Sequence, residues 1–274
     1  MNLHADPGAG CNEARLPPLL GEGDPPPFSV HNPHGGSPFV LLADHAGQRI
    51  PAALSNLGLP QVELDRHIGW DIGIAGVTVE LARRLDAFAI EQTYSRLLID
   101  CNRPLTSPTL IPETSDGTVI PGNAALDAPY RQQRIDAIHA PYHARITAEL
   151  ERRRDAGQPT LLMMMHSFTP VMNGHARPWH CGVLYHRDAR FAHALRDVLR
   201  AEGDLEVGDN QPYSVSDSSD YAVPVHGEGR NLVHVELEIR QDLITDAAGQ
   251  QAWAARLERL LRGLQATLLA QAAA

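Results

Sequence analysis

The chain has 274 residues, of which 43% are hydrophobic, with a formal net charge of -10 and a pI near 5.7. This is enough sequence for one large domain with a substantial core. The acidic balance, without a Lys/Arg-rich stripe, argues against a nucleic-acid partner. No apolar run approaches the roughly 18–20 residues that cross a bilayer, and the N-terminus lacks a secretory pattern. We therefore expect a cytoplasmic protein with neither a nucleic-acid nor a membrane partner.

The N-terminal residues 1–36 are predicted to form an arm rather than a domain. They are rich in proline and glycine, and such a segment cannot bury a core of its own. We expect the arm to lie along the surface of the remaining chain or of a neighbouring subunit. Residues 37–274 show no internal repeat and are expected to form a single domain.

Those residues alternate apolar runs with amphipathic stretches, which predict strands and helices respectively. Pro129 is expected to start a helix that Pro141 kinks or breaks. The alternation favours a three-layer α/β/α sandwich. The predicted strands are 39–44, 88–92, 97–101, 161–165, 181–185 and 232–239, and the predicted helices are 62–85, 129–150, 190–202 and 247–270.

Two histidines follow predicted strands directly. His166 ends the apolar run Leu161–Met165, and His45 follows the run Phe39–Asp44. Buried strands of this kind deliver the next side chains to the carboxyl edge of the sheet, where open α/β folds bind ligands. Either histidine alone is more simply an ordinary hydrogen-bonded residue. Together they predict a metal site.

Charged residues flank two of the predicted strands. Arg96 precedes the segment 97–101, and Asn102-Arg103 follows it; guanidinium groups there would suit an anionic substrate. The alternative is a pair of surface arginines lying over the core. Glu236 and Glu238 share one face of their strand. Because two buried carboxylates are costly without a cation or a function, one of them could be a general base.

A second histidine pair, His139 and His143, lies four residues apart on a predicted helix. The glutamate of the HExxH metalloprotease motif is missing, and a proline interrupts the turn. We therefore predict a structural role for His139, whereas His143 could face a pocket. Neither a glycine-rich phosphate loop nor a serine-hydrolase elbow is present.

Several motifs resemble those of the N-formylglutamate amidohydrolase family, and the resemblance covers roughly residues 38–268. The family is related to zinc carboxypeptidases and to desuccinylase and aspartoacylase amidohydrolases. The resemblance therefore implies a zinc-carboxypeptidase-like α/β/α sandwich with a mixed central sheet. The motifs include Asp44-His45-Ala-Gly-Gln-Arg-Ile-Pro51, Gly69-Trp-Asp71-Ile-Gly73, Asp100-Cys-Asn102-Arg103-Pro104, His166-Ser-Phe168 and Glu238-Ile-Arg240-Gln-Asp-Leu-Ile244.

The resemblance implies that His45 and His166 are two ligands of one zinc ion. Carboxypeptidases complete the site with the glutamate of His-x-x-Glu, but here Gln48 occupies that position and is a poorer ligand. Asp71 is the preferred replacement, because two histidines and a carboxylate form a common catalytic zinc site. Asp44 is a weaker candidate, since it should point to the opposite face from His45.

The resemblance also implies the catalytic roles. Glu238 would deprotonate the zinc water and later protonate the leaving amine, and Arg96 would stabilise the oxyanion. The residues expected to bind the substrate are Asn102, Arg103, Arg240, His143 and Tyr213.

The expected activity is zinc-dependent hydrolysis of the N-acyl amide of an acidic amino acid, such as N-formylglutamate, giving formate and glutamate. One alternative is a deacylase or peptidase that acts on other small anionic N-acyl amino acids. The other is a non-catalytic anion binder with a decayed metal site, which Gln48 would favour. The polar loop 210–226 is expected to be either a lid or a surface excursion, and the oligomeric state stays open.

Overall fold

A seven-stranded mixed sheet forms the centre of the protein in the computed structural model, which describes residues 16–273. Its strands are β1 (Phe28–His31), β2 (Phe39–Ala43), β3 (Phe88–Gln92), β6 (Leu161–Phe168), β9 (Cys181–Leu184), β10 (Val207–Asp209) and β11 (Val233–Arg240). They lie in the order β1-β3-β2-β6-β11-β9-β10. The four neighbours β3, β2, β6 and β11 are parallel, whereas β1 pairs antiparallel with β3 and β9 antiparallel with β11.

Two small hairpins lie outside the sheet, and helices cover both of its faces. The first hairpin joins β4 (Thr114–Ser115) to β5 (Thr118–Val119), and the second joins β7 (Val171–Met172) to β8 (His175–Ala176). The helices are α1 (Gln61–Leu64), α2 (Ile74–Leu85), α3 (Ala128–Arg134), α4 (Ala140–Asp155), α5 (Arg190–Ala201) and α6 (Ala247–Ala272).

The alternation of side chains along the strands produces two cores. In β11, Val235, Leu237 and Ile239 join the core beneath α2, α5 and α6. Because strand side chains alternate, Glu236 and Glu238 point to the other face, which we call the site face. The site face is covered by α3, α4 and the loops that follow residues 96 and 210, and its core includes Leu42, Met164 and Tyr142.

The predicted three-layer sandwich with a mixed sheet is therefore confirmed. The strands expected at 39–44, 88–92, 161–165, 181–185 and 232–239 are present, although β6 continues through His166 to Phe168. The interruption expected near Pro141 is a π-helical turn, Ile135–His139, between α3 and α4. Within residues 16–273, no helix is long and apolar enough to cross a membrane.

The strand predicted at 97–101 is wrong. This segment makes turns, in which the Leu98 N–H bonds to the Ser95 carbonyl and the Arg103 N–H to the Asp100 carbonyl. Its apolar side chains are buried in the site-face core, so the hydrophobic run reflects burial without a strand ladder.

The helix predicted over 62–85 is split into α1 and α2. Gly73, at the N-cap of α2, has φ 82°, a conformation that favours glycine, and a Cβ there would lie 2.0 Å from the Ile244 carbonyl oxygen. The chain therefore turns at Gly73 before α2 can begin.

The boundary expected at residue 36 is also corrected. Phe28–His31 forms the edge strand β1, hydrogen-bonded to β3, and Leu19 is 5% exposed within the site-face core. The chain therefore enters the folded unit well before residue 37. Residues 1–15, the first part of the expected arm, lie outside the described residues.

Candidate active site

A cavity of about 680 Å³ opens where β2, β6 and β11 approach their carboxyl ends. His166 and Glu238 are register partners on neighbouring parallel strands, and His45 follows β2 by two residues. Most of the predicted site residues line this cavity, namely His45, Asp71, Arg96, Asn102, Arg103, His166, Tyr213 and Glu238.

A buried group that could hold a metal ion is formed by His45, Asp71 and His166. We call these three residues the metal group. One ligand atom from each lies within 4.8 Å of the other two. Asp71 Oδ2 is 3.0 Å from His166 Nδ1 and 3.6 Å from His45 Nδ1. Two imidazoles and a carboxylate form a donor set that suits a catalytic zinc ion, which keeps its fourth position for water or substrate.

Unpartnered polar atoms around this group also fit a cation. Among residues 16–273, His45 Nδ1, His166 Nε2 and Glu238 Oε2 are buried without a hydrogen-bond partner, as are Asp44 Oδ2 and Glu236 Oε2. Buried polar atoms are nearly always satisfied, because leaving one unpaired costs roughly 1–3 kcal/mol. The number of such atoms on residues around His45 and His166 indicates that a bound species completes the site.

The charge of the site leads to the same conclusion. Burial raises the pKa of the Glu236 carboxyl to about 7 and that of Glu238 well above its ordinary value. Burial would lower the pKa of His166, but nearby carboxylates, Glu236 foremost, outweigh it and hold that pKa well above the usual range. Burial thus disfavours the ionised form of both carboxyls, and a divalent cation at this position would favour it.

Asp100 orients His45 from the side opposite the metal group. Its Oδ1 lies 2.7 Å from His45 Nε2, which leaves Nδ1 directed toward Asp71. A carboxylate behind a ligating histidine fixes the ring and its tautomer. Burial alone would raise the pKa of the Asp100 carboxyl, but His45 and the neighbouring arginines hold it well below its usual range. Sequence reasoning missed this role, although the Asp-Cys-Asn-Arg motif contained the residue.

Arg96 and Arg103 bring guanidinium groups to the cavity. Arg96 Nη2 donates to Asp100 Oδ2 at 2.8 Å, and its Nη1 is 3.5 Å from Asp71 Oδ1. Burial would lower the pKa of Arg96, but these two carboxylates raise it above its ordinary value. Arg103 Nη1 donates to the carbonyls of Asn102 and Ser219. Because a guanidinium has five N–H donors, both residues keep donors for a substrate.

The loop 210–226 forms a wall of the cavity. Asn102 Oδ1 accepts hydrogen bonds from the Tyr221 and Ala222 N–H groups, each at 3.0 Å, which fastens the loop to the turn before Arg103. Tyr213 lines the cavity, and its hydroxyl accepts a hydrogen bond of 2.8 Å from Arg177. Of the two expectations for this loop, the surface excursion is therefore wrong, and closure as a lid stays a prediction.

Two predicted substrate-binding residues lie outside the cavity. His143 is buried, with Nε2 2.8 Å from the Cys101 carbonyl oxygen and Nδ1 2.9 Å from His226 Nε2. Because a carbonyl can only accept, His143 Nε2 carries the proton and Nδ1 accepts from His226. His143 therefore supports the turn that holds Asn102. Arg240 pairs with Asp242 and donates to the carbonyls of residues 177–179.

The two alternative metal ligands occupy different positions. Asp44 lies on the site face, where Oδ1 accepts from the Tyr142 hydroxyl at 2.6 Å and Oδ2 is 3.9 Å from His166 Nε2. It is therefore beside the metal group, while Asp71 contacts both histidines. Gln48 lines a separate cavity and is absent from the walls of this one.

Comparison with known protein families identifies the family of this chain. A model of the N-formylglutamate amidohydrolase family matches residues 37–245, which is more than half of the chain. The chain belongs to the N-formylglutamate amidohydrolase family. The resemblance drawn from the sequence motifs is thereby confirmed.

Two solved structures are similar to this chain. The crystal structure of a gene product from Agrobacterium tumefaciens has 34% sequence identity and a TM-score of 0.87, covering 91% of this chain and 98% of its own. The N-formylglutamate amidohydrolase of Ralstonia eutropha has 20% identity and a TM-score of 0.65, covering 88% of this chain and 98% of its own, and so supports the fold alone.

A curated relative, an N-formylglutamate deformylase from Pseudomonas putida, is 28% identical over 143 residues. The match covers 48% of this chain and 52% of that protein, so the chain spans about half the length of this relative.

Proposed function

We propose that the protein is a zinc-dependent amidohydrolase that removes the formyl group from an acidic amino acid such as N-formylglutamate, giving formate and glutamate. The observation that carries this proposal is the buried group of His45, Asp71 and His166 beside Glu238, in a chain of this family. These three residues would hold the metal. When bound, the metal would act as a Lewis acid on the amide carbonyl and make a water more acidic.

Glu238 is the proposed general base. Its side chain is buried beside the metal group, because β11 and β6 align it with His166. A raised pKa makes the ionised Glu238 carboxylate a stronger base, and a cation held by the neighbouring residues would favour that ionised form. The water oxygen bonds to the formyl carbon, and the carbon–nitrogen bond breaks. Glu238 then returns the proton to the leaving amine.

Arg96 and Arg103 are the proposed electrophilic and binding groups. Arg96 remains charged, and the donors not engaged by Asp71 and Asp100 can stabilise the negative charge that develops on the carbonyl oxygen. Arg103 offers its remaining N–H groups to a carboxylate of the amino acid, the geometry in which guanidinium binds most specifically. Tyr213 adds a hydroxyl to the same cavity.

A panel of substrates tests this function. We expect purified protein with added zinc to hydrolyse N-formyl-L-glutamate with a higher kcat/KM than N-formyl-L-leucine, which lacks the second carboxylate. Chelation should abolish turnover, and zinc should restore it. If no N-formyl, N-acetyl or N-succinyl amino acid is hydrolysed with zinc present, the proposal fails.

The size of the cavity leaves room for one alternative, a deacylase for a larger acyl group. N-formylglutamate has about 12 non-hydrogen atoms, which at about 30 Å³ each, the share of a water molecule, fill at most about 360 Å³. The cavity holds about 680 Å³. A kcat/KM for N-succinyl-L-glutamate above that for the formyl compound would favour this alternative. The non-catalytic binder loses its support, because Gln48 does not line the cavity.

A further inference from the structure

A second cavity, of about 590 Å³, lies beside the loops that carry the proposed metal ligands. Its wall includes Ala46–Ile50, directly after His45, and Trp70, directly before Asp71. We call it the rear cavity. None of the residues assigned to the reaction lines it, so its polar groups need another explanation.

Three polar groups of the rear cavity have unmet bonding capacity. Gln48 Oε1 and Glu91 Oε1 are buried and have no hydrogen-bond partner among residues 16–273. Arg49, an exposed residue that lines the same cavity, forms neither a side-chain hydrogen bond nor an ion pair within that part of the chain, so its guanidinium is available to a ligand. Two unpaired buried acceptors beside an available guanidinium indicate a site that can hold a ligand.

The remaining charged groups of the rear cavity are already engaged. The carboxylate oxygens of Asp24 accept the N–H groups of Gly21 and Ala52. The second oxygen of Glu91 lies 2.7 Å from His31 Nε2. Burial nevertheless raises the pKa of the Glu91 carboxyl, since His31 compensates only in part. An additional cationic donor would stabilise that carboxylate.

The ligand chemistry follows from these groups. A ligand that satisfies these groups donates hydrogen bonds to Gln48 Oε1 and Glu91 Oε1 and accepts them from Arg49. An ammonium group beside a carboxylate meets both requirements within one small molecule. Ile50, Leu64 and Trp70 add apolar wall for an aliphatic chain. We propose that the rear cavity binds a free α-amino acid, with its ammonium on Gln48 and Glu91 and its carboxylate on Arg49.

This inference rests on the proposed function in one respect, namely that the amino acid is the product of the reaction. Hydrolysis of the amide creates the ammonium group. The N-acyl substrate offers a single uncharged N–H at that position and would leave Glu91 with the partial compensation from His31 alone. The rear cavity therefore distinguishes product from substrate, next to the loop that holds His45.

Titration calorimetry of the full-length protein with L-glutamate tests the proposal. Glutarate is the matched ligand, because it keeps both carboxylates and lacks the ammonium. We expect L-glutamate binding to include a component that Glu91→Gln and Arg49→Gln each weaken at least tenfold. That component should be unaffected by Arg103→Gln in the catalytic cavity and missing for glutarate.

The proposal is overturned if L-glutamate does not bind, if only Arg103→Gln weakens its binding, or if glutarate binds equally well. Turnover of N-formyl-L-glutamate by the same variants separates this outcome from failure of the proposed function. Glu91→Gln and Arg49→Gln should keep initial-rate kcat/KM within about twofold of the parent protein. Binding without hydrolysis of any N-acyl amino acid would refute the proposed reaction and its product assignment, but not the rear cavity as an amino-acid site.

Discussion

The two faces of the central sheet are built from the same strands, yet they differ in almost every chemical respect. Beneath α2, α5 and α6, the strands present aliphatic side chains such as Val235 and Leu237, and three regular helices cover them. On the site face, the alternate positions of the same strands include His166, Glu236 and Glu238, beside apolar side chains such as Met164 and under α3, α4 and long loops. The first face is therefore uniformly apolar, whereas the site face combines a hydrophobic core with buried polar groups at the carboxyl ends of the strands.

Glu238→Gln, on the site face, is expected to give the largest loss of activity. The variant keeps the shape of the side chain and removes the proposed base, so kcat for the best substrate should fall about 10²–10⁴-fold. The free energy of unfolding should not decrease, because a buried carboxylate is removed. Steady-state kinetics and urea unfolding measure both quantities. Retention of more than a tenth of kcat would assign the base to another residue.

Leu237→Ala, at the neighbouring position of β11, should give the opposite result. Leu237 is fully buried beneath the helices, and its truncation should cost about 2–5 kcal/mol of unfolding free energy. Below the unfolding transition, kcat should stay within about threefold of the parent protein. Equal losses of activity in this variant and in Glu238→Gln would contradict the different roles of the two faces.

The pH dependence of stability tests the buried charge of Glu236. In the folded, metal-stripped protein its carboxyl has a pKa of about 7, raised from 4.5. The folded state therefore keeps a proton that the unfolded chain loses, and the stabilisation is complete below pH 4.5 and lost as pH rises to 7. The shift corresponds to about 3 kcal/mol. Glu236→Gln should flatten this slope in thermal unfolding between pH 5 and 7, and an unchanged slope would contradict the assignment.

Asp100→Asn is expected to have the smallest effect. It removes the carboxylate behind His45 without changing size, and metal affinity should fall about 10–100-fold. Competition with a chromogenic chelator measures that affinity. At saturating zinc, most of kcat should return, which distinguishes a positioning residue from a ligand. No recovery at any zinc concentration would show that Asp100 acts directly in the reaction.

The sequence predicts those parts of the site that depend on strand periodicity. The apolar runs before His45 and His166, and the alternation around Glu238, are local patterns, so their meeting at one sheet edge was predictable. The position of the Arg240 side chain was not predictable, because its guanidinium donates to the carbonyls of residues 177–179, which are remote in sequence. His143 was misassigned for a similar reason: its partners Cys101 and His226 lie on two separate loops.

Glu238 and His166 are register partners on adjacent strands, and this pairing constrains how the site can evolve. Main-chain hydrogen bonds between parallel strands hold adjacent residues about 4.8 Å apart, whatever side chains surround them. The separation of the proposed base from the proposed metal ligand is therefore set by the ladder, whereas the loops that wall the cavity can change. Loop substitutions alone could alter which ligand the cavity accepts, without moving these two side chains.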